Sequence, residues 1–413
     1  MEQEKTKKTL MERIKAAGPA AIITSAFIGP GTITTATNAG VNFGYALLWA
    51  VVFSGISLVI IMNMASRIAI VGNKNIMDAA VDLLPHSRVW KWLILGMITL
   101  VVVLTGFGFE AGNLIGATTG LNDIIGIGNW TSALVMGMFS LAFIIFSTPT
   151  FVEQIMKGFV ALMGIVFFVT ALLVRPNIME VLGGIVPTIP DGAMVTTIAL
   201  IGTTIIGINL VFHSVASEEK WADGSEDGNL EDAYFDTGLN ISLGVIMTLG
   251  VIIATSATLF GTGTVVDSPI VYAASLEPTL GMGARIFAAL GLVLAGLSSA
   301  TATPYMVGHI VGRIFNWNQP NDVRRKIVGS VVVIFGMLFA MYGTTPVPII
   351  LFAQATSGVF LPLIAILFVI AANNKSLGIY KNNAMQNLFG FGVVIVMFFL
   401  GGRTLWNVFS NFF

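Results

Sequence analysis

The stretch Gly29-Pro30-Gly31-Thr32 interrupts an apolar run near the start of the chain, and Gly207-Ile208-Asn209 interrupts another near residue 205. Proline lacks an N–H and glycine is a poor helix former, so each stretch breaks a helix. In hydrocarbon the freed N–H and C=O groups have no water to pair with. Broken backbone survives there only where it is buried in protein or lines a cavity. Two interrupted helices in corresponding positions of two halves point to a carrier with its substrate site between the breaks.

Composition places these runs in a membrane. Hydrophobic residues make up 55% of the 413-residue chain and charged residues 10%, with mean hydropathy +0.89. A soluble domain carries about 25% charge. The net charge of −1 supplies no field for nucleic acid, so no such partner is expected. The absence of Cys excludes disulfides and thiolate metal sites. Residues 1–15 are charged and helix-prone, without a short apolar core and a small-residue cleavage site, so a removed leader is not expected.

A span needs about 20 apolar residues. Eleven segments qualify as candidates: 17–42 (broken), 45–71, 91–118, 129–148, 155–174, 193–217 (broken), 237–262, 284–313, 327–343, 347–372 and 386–411. With the N-terminus in the cytoplasm, only Arg175, Arg285 and Arg403 of the 20 Lys and Arg fall outside. That asymmetry supports the alternation, and with it an outside C-terminus. The expected architecture is an all-α integral membrane protein of eleven transmembrane helices, in a single transporter domain spanning 1–413. A cytoplasmic segment (1–16) precedes a first repeat (17–174), a second repeat (193–372) and an extra helix (386–411). Each repeat opens with a broken helix, and five spans per half invert one half against the other, as in a LeuT-type 5+5 inverted repeat. The segment Glu218–Asp236 reads as an acidic cytoplasmic loop, either simply solvated or forming a cation-attracting vestibule. Gly112, Gly116 and Gly120 have the spacing of close helix packing in span three.

Polar groups inside a membrane are expensive, so each is a functional candidate. Glu110 is the only carboxylate deep in an expected span, and Asn113 lies three residues on, on the same helix face. Glu110 reads either as a proton-accepting or cation-attracting group or as a neutral packing residue. Asn209 and His213 share one face after the second break. Asn209 can cap the second half-helix or offer its oxygen to a substrate. His213 can relay protons or sit satisfied against a neighbour. His309 reads as structural. Gln354 is a mid-membrane amide. Thr32, Thr34 and Thr35 either ligate or repair the first break. Ser298, Ser299, Thr301 and Thr303 read as helix–helix glue more than as ligands. No zincin, Ser/His/Asp or phosphate-cradling pattern occurs, so neither enzymatic activity nor a cofactor is expected.

Four motifs in order resemble the Nramp family of proton-coupled divalent-metal transporters. Gly29-Pro30-Gly31-Thr32, with the later Phe43-Gly44-Tyr45 and Leu47-Leu48-Trp49, is similar to the family's first break, Asp-Pro-Gly-Asn. Asn209-Leu210-Val211-Phe212-His213-Ser214 resembles its second break, Met-Pro-His-Asn-Leu-x-x-His-Ser. Ala295-Gly296-Leu297-Ser298-Ser299 is similar to Ser-Gly-Gln-Ser-Ser of span eight. Gln354 before Leu361-Pro362-Leu363 resembles span ten. The resemblance implies the LeuT-type fold and a substrate site at Gly29, Thr32, Thr203, Ile206, Gly207, Asn209 and Gln354. Thr32, Asn209 and Gln354 would be the metal ligands, with Thr203 near a ligating carbonyl. Glu110, Asn113 and His213 fall near positions linked to proton movement.

The departures define the question. The family's ligand Asp falls on Gly29, its Asn on Thr32, its Met on Ile206, its Pro on Gly207 and its first His on Ile208. A carboxylate at about 4 Å from a dication is worth roughly 4–8 kcal/mol at an effective dielectric near 20, and here it is missing. The soft thioether that favours transition metals is missing too. The expected cargo is a metal cation, either hydrated (magnesium or manganese) or complexed (iron), crossing the plasma membrane with protons as a candidate co-substrate. A metal chelate or small organic solute is the alternative within the class, and a channel-like or sensor protein on a transporter scaffold is the alternative outside it.

Overall fold

The computed structural model describes residues 9–83, 87–222, 226–277, 281, 283–317, 319, 321–342 and 360–412. Gln354 lies outside the described residues, as does part of the expected tenth span.

The first expected span is two half-helices, α2 (Pro19–Phe27) and α3 (Pro30–Phe43), preceded by a short α1 (Leu10–Ala16) that Thr9 and Glu12 close with a capping box. Proline occupies the first helical position of both halves, where its missing N–H costs nothing. Gly44, at φ +56° and ψ −137°, ends α3 in a conformation that L side chains rarely adopt, and the chain turns into α4 (Leu48–Ile70). α5 (Ile76–Asp82) follows, then α6 (Arg88–Ile125), α7 (Asn129–Phe146) and α8 (Pro149–Leu173). At 38 residues α6 is about 57 Å long, so it overruns a hydrocarbon layer about 30 Å thick.

The second half repeats the opening device. After α9 (Ile178–Gly183), α10 (Met194–Thr204) and α11 (Gly207–Trp221) are the two parts of one interrupted helix. α12 (Glu226–Leu259), α13 (Gly283–Ile314), α14 (Val323–Met341), α15 (Phe360–Ala371) and α16 (Ala384–Phe412) complete the chain. Among the described residues eight stretches are both long and apolar enough to cross a membrane. The others are half-helices, a partly described helix or, in α14, a helix that opens on Arg324, Arg325 and Lys326.

Helix packing sorts most elements into two groups. α3, α4, α10, α11 and α12 pack on one another, while α6, α7, α13 and α14 form a second set whose most extensive contact is α13 against α6. α2 bridges them, packing on α12, α13 and α8. Glycine permits the closest approaches. A Cβ on Gly116 would stand 2.1 Å from Cβ of Pro30, and one on Gly296 would stand 2.5 Å from Cβ of Ala117. The glycine face of α6 therefore receives the start of α3 and the middle of α13.

Ion pairs gather at the end that holds α1. Lys220 meets Glu153 at 2.6 Å, Arg313 meets Glu218 at 2.5 Å, Arg325 meets Glu219 at 3.0 Å and Arg13 meets Glu231 at 2.6 Å. Arg285 and Asp123 pair at the other end. The expected acidic loop is corrected here. Glu218 and Glu219 belong to α11, and α12 already begins at Glu226, because helix continues where the acidic side chains find cationic partners. Glu218, Glu219 and Glu231 each face an arginine and do not line an open vestibule. Outside the spans, Arg324 holds the Asp322 carboxyl down to about 2 through side-chain and backbone hydrogen bonds.

Candidate transport site

At the first break, Ile28 (φ −83°, ψ 64°) and Gly29 (φ −104°, ψ 178°) leave helical geometry. The hydroxyl of Thr32 donates to the carbonyl of Phe27, and that of Thr34 donates to Pro30 at 2.8 Å. Of the two readings for Thr32, the structure places its hydroxyl proton on the broken backbone. The C-terminal end of α2 presents carbonyls toward the break and the N-terminal end of α3 presents N–H groups, so opposite partial charges meet there.

The second break lies slightly earlier than the sequence suggests. Ile205 (φ −95°, ψ 99°) and Ile206 (φ −117°, ψ 134°) are extended, and Gly207 is the first residue of α11. Two consecutive β-branched residues favour extended backbone, and they make the break without proline. Gly207 serves packing: a Cβ there would stand 2.9 Å from Cδ1 of Ile364. The expected capping role of Asn209 is also corrected. Asn209 sits in the first turn of α11, its N–H donates to Ile206 O at 3.0 Å, and neither atom of its side-chain amide has a hydrogen-bond partner among the described residues. The side chain is fully buried. A buried primary amide left open in this way costs about 1–3 kcal/mol. Thr203 donates its hydroxyl to Leu200 O at 3.0 Å. Ile206 and Ile208 are buried in the apolar core, so the second break is walled by hydrocarbon where the resemblance puts Met and His.

Gly29 faces the other helix group. A Cβ on residue 29 would stand 2.8 Å from Asn113 Oδ1 and 2.8 Å from Ser299 Oγ. The space of a side chain at position 29 is thus taken by two neutral oxygens, one from α6 and one from α13. Asn113 Nδ2 donates to Thr303 Oγ1 at 3.4 Å. Ser299 Oγ lies 2.7 Å from Ala295 O and 3.0 Å from Ser25 O.

Glu110 and Asn113 share the expected face and also reach different neighbours. Glu110 is pressed against α14, where a Cβ on Gly336 would stand 2.8 Å from its Cγ, while Asn113 reaches Gly29. Both carboxylate oxygens of Glu110 are buried without a hydrogen bond of ordinary geometry, and the polar side chain beside them is that of Asn113. His213 is also fully buried. Its Nε2 lies 3.0 Å from Ser66 Oγ, 3.4 Å from Ser217 Oγ and 3.5 Å from Thr237 Oγ1, and its Nδ1 has no partner among the described residues. His309 stacks on Tyr305 with ring centroids 4.0 Å apart, and its Nδ1 lies 3.0 Å from the Tyr305 carbonyl, away from both breaks.

Two participants are not predicted by the sequence. Asp236 falls just before the expected seventh span, yet α12 carries it fully buried, so burial of carboxylates is not limited to Glu110. Asp236 accepts the N–H groups of Gly18 (3.0 Å) and Ala20 (2.9 Å), fixing the N-terminal end of α2. Ser299, read as packing glue, reaches the first break. The signal for Asp236 was a carboxylate at a span edge. For Ser299 there was none beyond the general presence of hydroxyls. Among the described residues no group of three His, Cys, Asp or Glu side chains is arranged to hold a metal ion.

Two interrupted helices embedded in a two-group helical bundle define the class: a multi-pass membrane protein of transporter architecture. Residues 20–407 match the model for natural resistance-associated macrophage protein-like proteins, Nramp, and the chain belongs to that family. It is 25% identical over 398 residues to the divalent metal cation transporter MntH of Erwinia tasmaniensis, covering 94% of this chain and 93% of that one. It is 26% identical over 398 residues to MntH of Klebsiella pneumoniae, covering 93% and 92%. Among solved structures, the Eremococcus coleocola manganese transporter superposes with a TM-score of 0.78 at 18% identity, covering 96% of this chain and 87% of that one. The structure of MhsT in complex with L-phenylalanine gives 0.64 at 15% identity, covering 96% and 100%. The LeuT-type scaffold expected from the paired breaks is therefore the observed fold.

Proposed function

We propose that the protein is a secondary carrier that moves a divalent metal cation across the plasma membrane by alternating access. The N-terminus is cytoplasmic and the C-terminus outside, with eleven spans, repeats over 17–174 and 193–372, and the extra helix over 386–411. The relatives named divalent metal cation transporters support the cargo class. One observation carries the finer reading: the position nearest the first break is Gly29, and its side-chain space is filled by neutral oxygens. A site of amide and hydroxyl oxygens suits a hard cation that keeps part of its water shell, with magnesium or manganese ahead of softer ions. Asn209, with its open amide, faces the cargo from the second break. Gln354 keeps its proposed place in the set, while Thr32 belongs to the backbone repair. Glu110 is the proposed proton-coupling group and His213 the relay.

Uptake into proteoliposomes, comparing magnesium, manganese and chelated iron, tests this. Saturable uptake of magnesium or manganese is expected. Uptake of the chelate alone, or of no metal in any form, sinks the free-cation reading and leaves the chelate or organic-solute carrier. Flux far above carrier rates would make the protein a channel. For coupling, Glu110→Gln should flatten the pH dependence of uptake, and an unaltered profile removes Glu110 from that role.

A further inference from the structure

The two oxygens that crowd Gly29 have a common character. Asn113 is nearly fully buried and Ser299 fully so. The Asn113 amide has Thr303 and the Glu110 carboxyl as its neighbours, and its carbonyl oxygen faces residue 29. Ser299 has one proton, and carbonyls of Ala295 and Ser25 both stand within reach of it. That hydroxyl thus directs lone pairs, not a proton, at the space beside Gly29. Two neutral acceptor oxygens meet the unwound backbone where the partial charges of two half-helix ends already converge. Acceptor oxygens aimed at unwound backbone are an arrangement that a cation satisfies.

We propose that Asn113 and Ser299 contact the cargo, supplying from α6 and α13 the oxygens that a side chain at residue 29 does not supply. The inference rests on the metal-carrier reading and names the groups that set its selectivity. Its mechanical consequence follows from the helix packing. Gly29 opens α3, which packs in the first group, while Asn113 and Ser299 belong to the group built on α6 and α13. A bound cation would link the two groups across their interface, so any rocking of one against the other would change its oxygen shell.

The geometry also makes a counter-intuitive prediction about restoring an anion. Gly29→Asp places its Cβ within 2.8 Å of both oxygens, so the carboxylate has no room while they remain. Gly29→Asp alone should reduce magnesium and manganese binding, whereas Gly29→Asp combined with Asn113→Ala and Ser299→Ala should recover it and favour manganese.

The experiment is calorimetric titration of the purified full-length protein in nanodiscs with magnesium and with manganese. Asn113→Ala/Ser299→Ala should weaken binding about tenfold or more, the scale of losing two oxygen contacts. Asn113→Asp, nearly isosteric and made together with Glu110→Gln so that two adjacent carboxyls do not share a proton, should tighten it by about tenfold or more, because it puts an anionic oxygen at the same point. Misfolding cannot mimic that gain. Unchanged affinity in both variants, in a protein whose wild type binds either ion, overturns this assignment alone. Failure of the wild type to bind either ion overturns the metal-carrier reading and the assignment with it.

Discussion

The two breaks are built with opposite chemistry. At the first, Gly29 is followed by a proline, a threonine hydroxyl returns to the Phe27 carbonyl, and two further oxygens arrive from α6 and α13. At the second, two isoleucines unwind the helix, and the Asn209 amide has no partner among the described residues in a largely hydrocarbon wall. The difference teaches that an interrupted helix needs no fixed residue set. Proline and glycine make one break, β-branched residues the other, and polar groups are spent where a ligand or a freed carbonyl demands them.

The contrast breaks most sharply at the glycines. Gly116→Leu would drive a side chain into the Pro30 ring, which has no rotamer to yield. We expect uptake to be lost and stability to fall by about 1–3 kcal/mol, read as a lower melting temperature in detergent. Retained uptake would mean that α3 can shift without disturbing the site. Asn209→Leu tests the open amide. A cargo contact predicts an uptake loss of about tenfold with stability unchanged or raised, since an unpaired buried polar group is removed. A stability loss with normal uptake would instead assign Asn209 to the scaffold. Thr32→Val removes the hydroxyl that repairs the first break. A loss of about 1 kcal/mol, with uptake within about threefold of wild type, is expected. A far larger uptake defect would return Thr32 to the ligand set. The smallest effect should come from Gly207→Ala. Among the described residues its Cβ meets the far end of the Ile364 side chain, and better helix propensity offsets the contact. Uptake should stay within about twofold of wild type, and a severe loss would show that the second break is as tightly packed as the first.

What could be read in advance follows physical range. Apolar span length and the paired interruptions are local or additive features, and the fold could be read from them. The exact second break was not legible, because Gly207 looks like the breaker while Ile205 and Ile206 adopt the extended backbone. That Glu218 and Glu219 end α11 and Glu231 lies in α12 was not legible, since their partners Arg313, Arg325 and Arg13 are remote in sequence. Asp236 looked peripheral until α2 placed two N–H groups against it.

The sequence by itself determined that this chain is a membrane protein of the interrupted-helix transporter architecture, because hydrocarbon leaves broken backbone no refuge except protein or a cavity. It also determined that residue 29 brings no charge to the first break. Only the tertiary structure decided what fills that gap. Asn113 and Ser299 lie on helices separated by much of the chain, and their approach to Gly29 follows from glycine-mediated packing of α6 against α3 and α13. Such packing depends on distances between helices, which no local pattern of residues encodes.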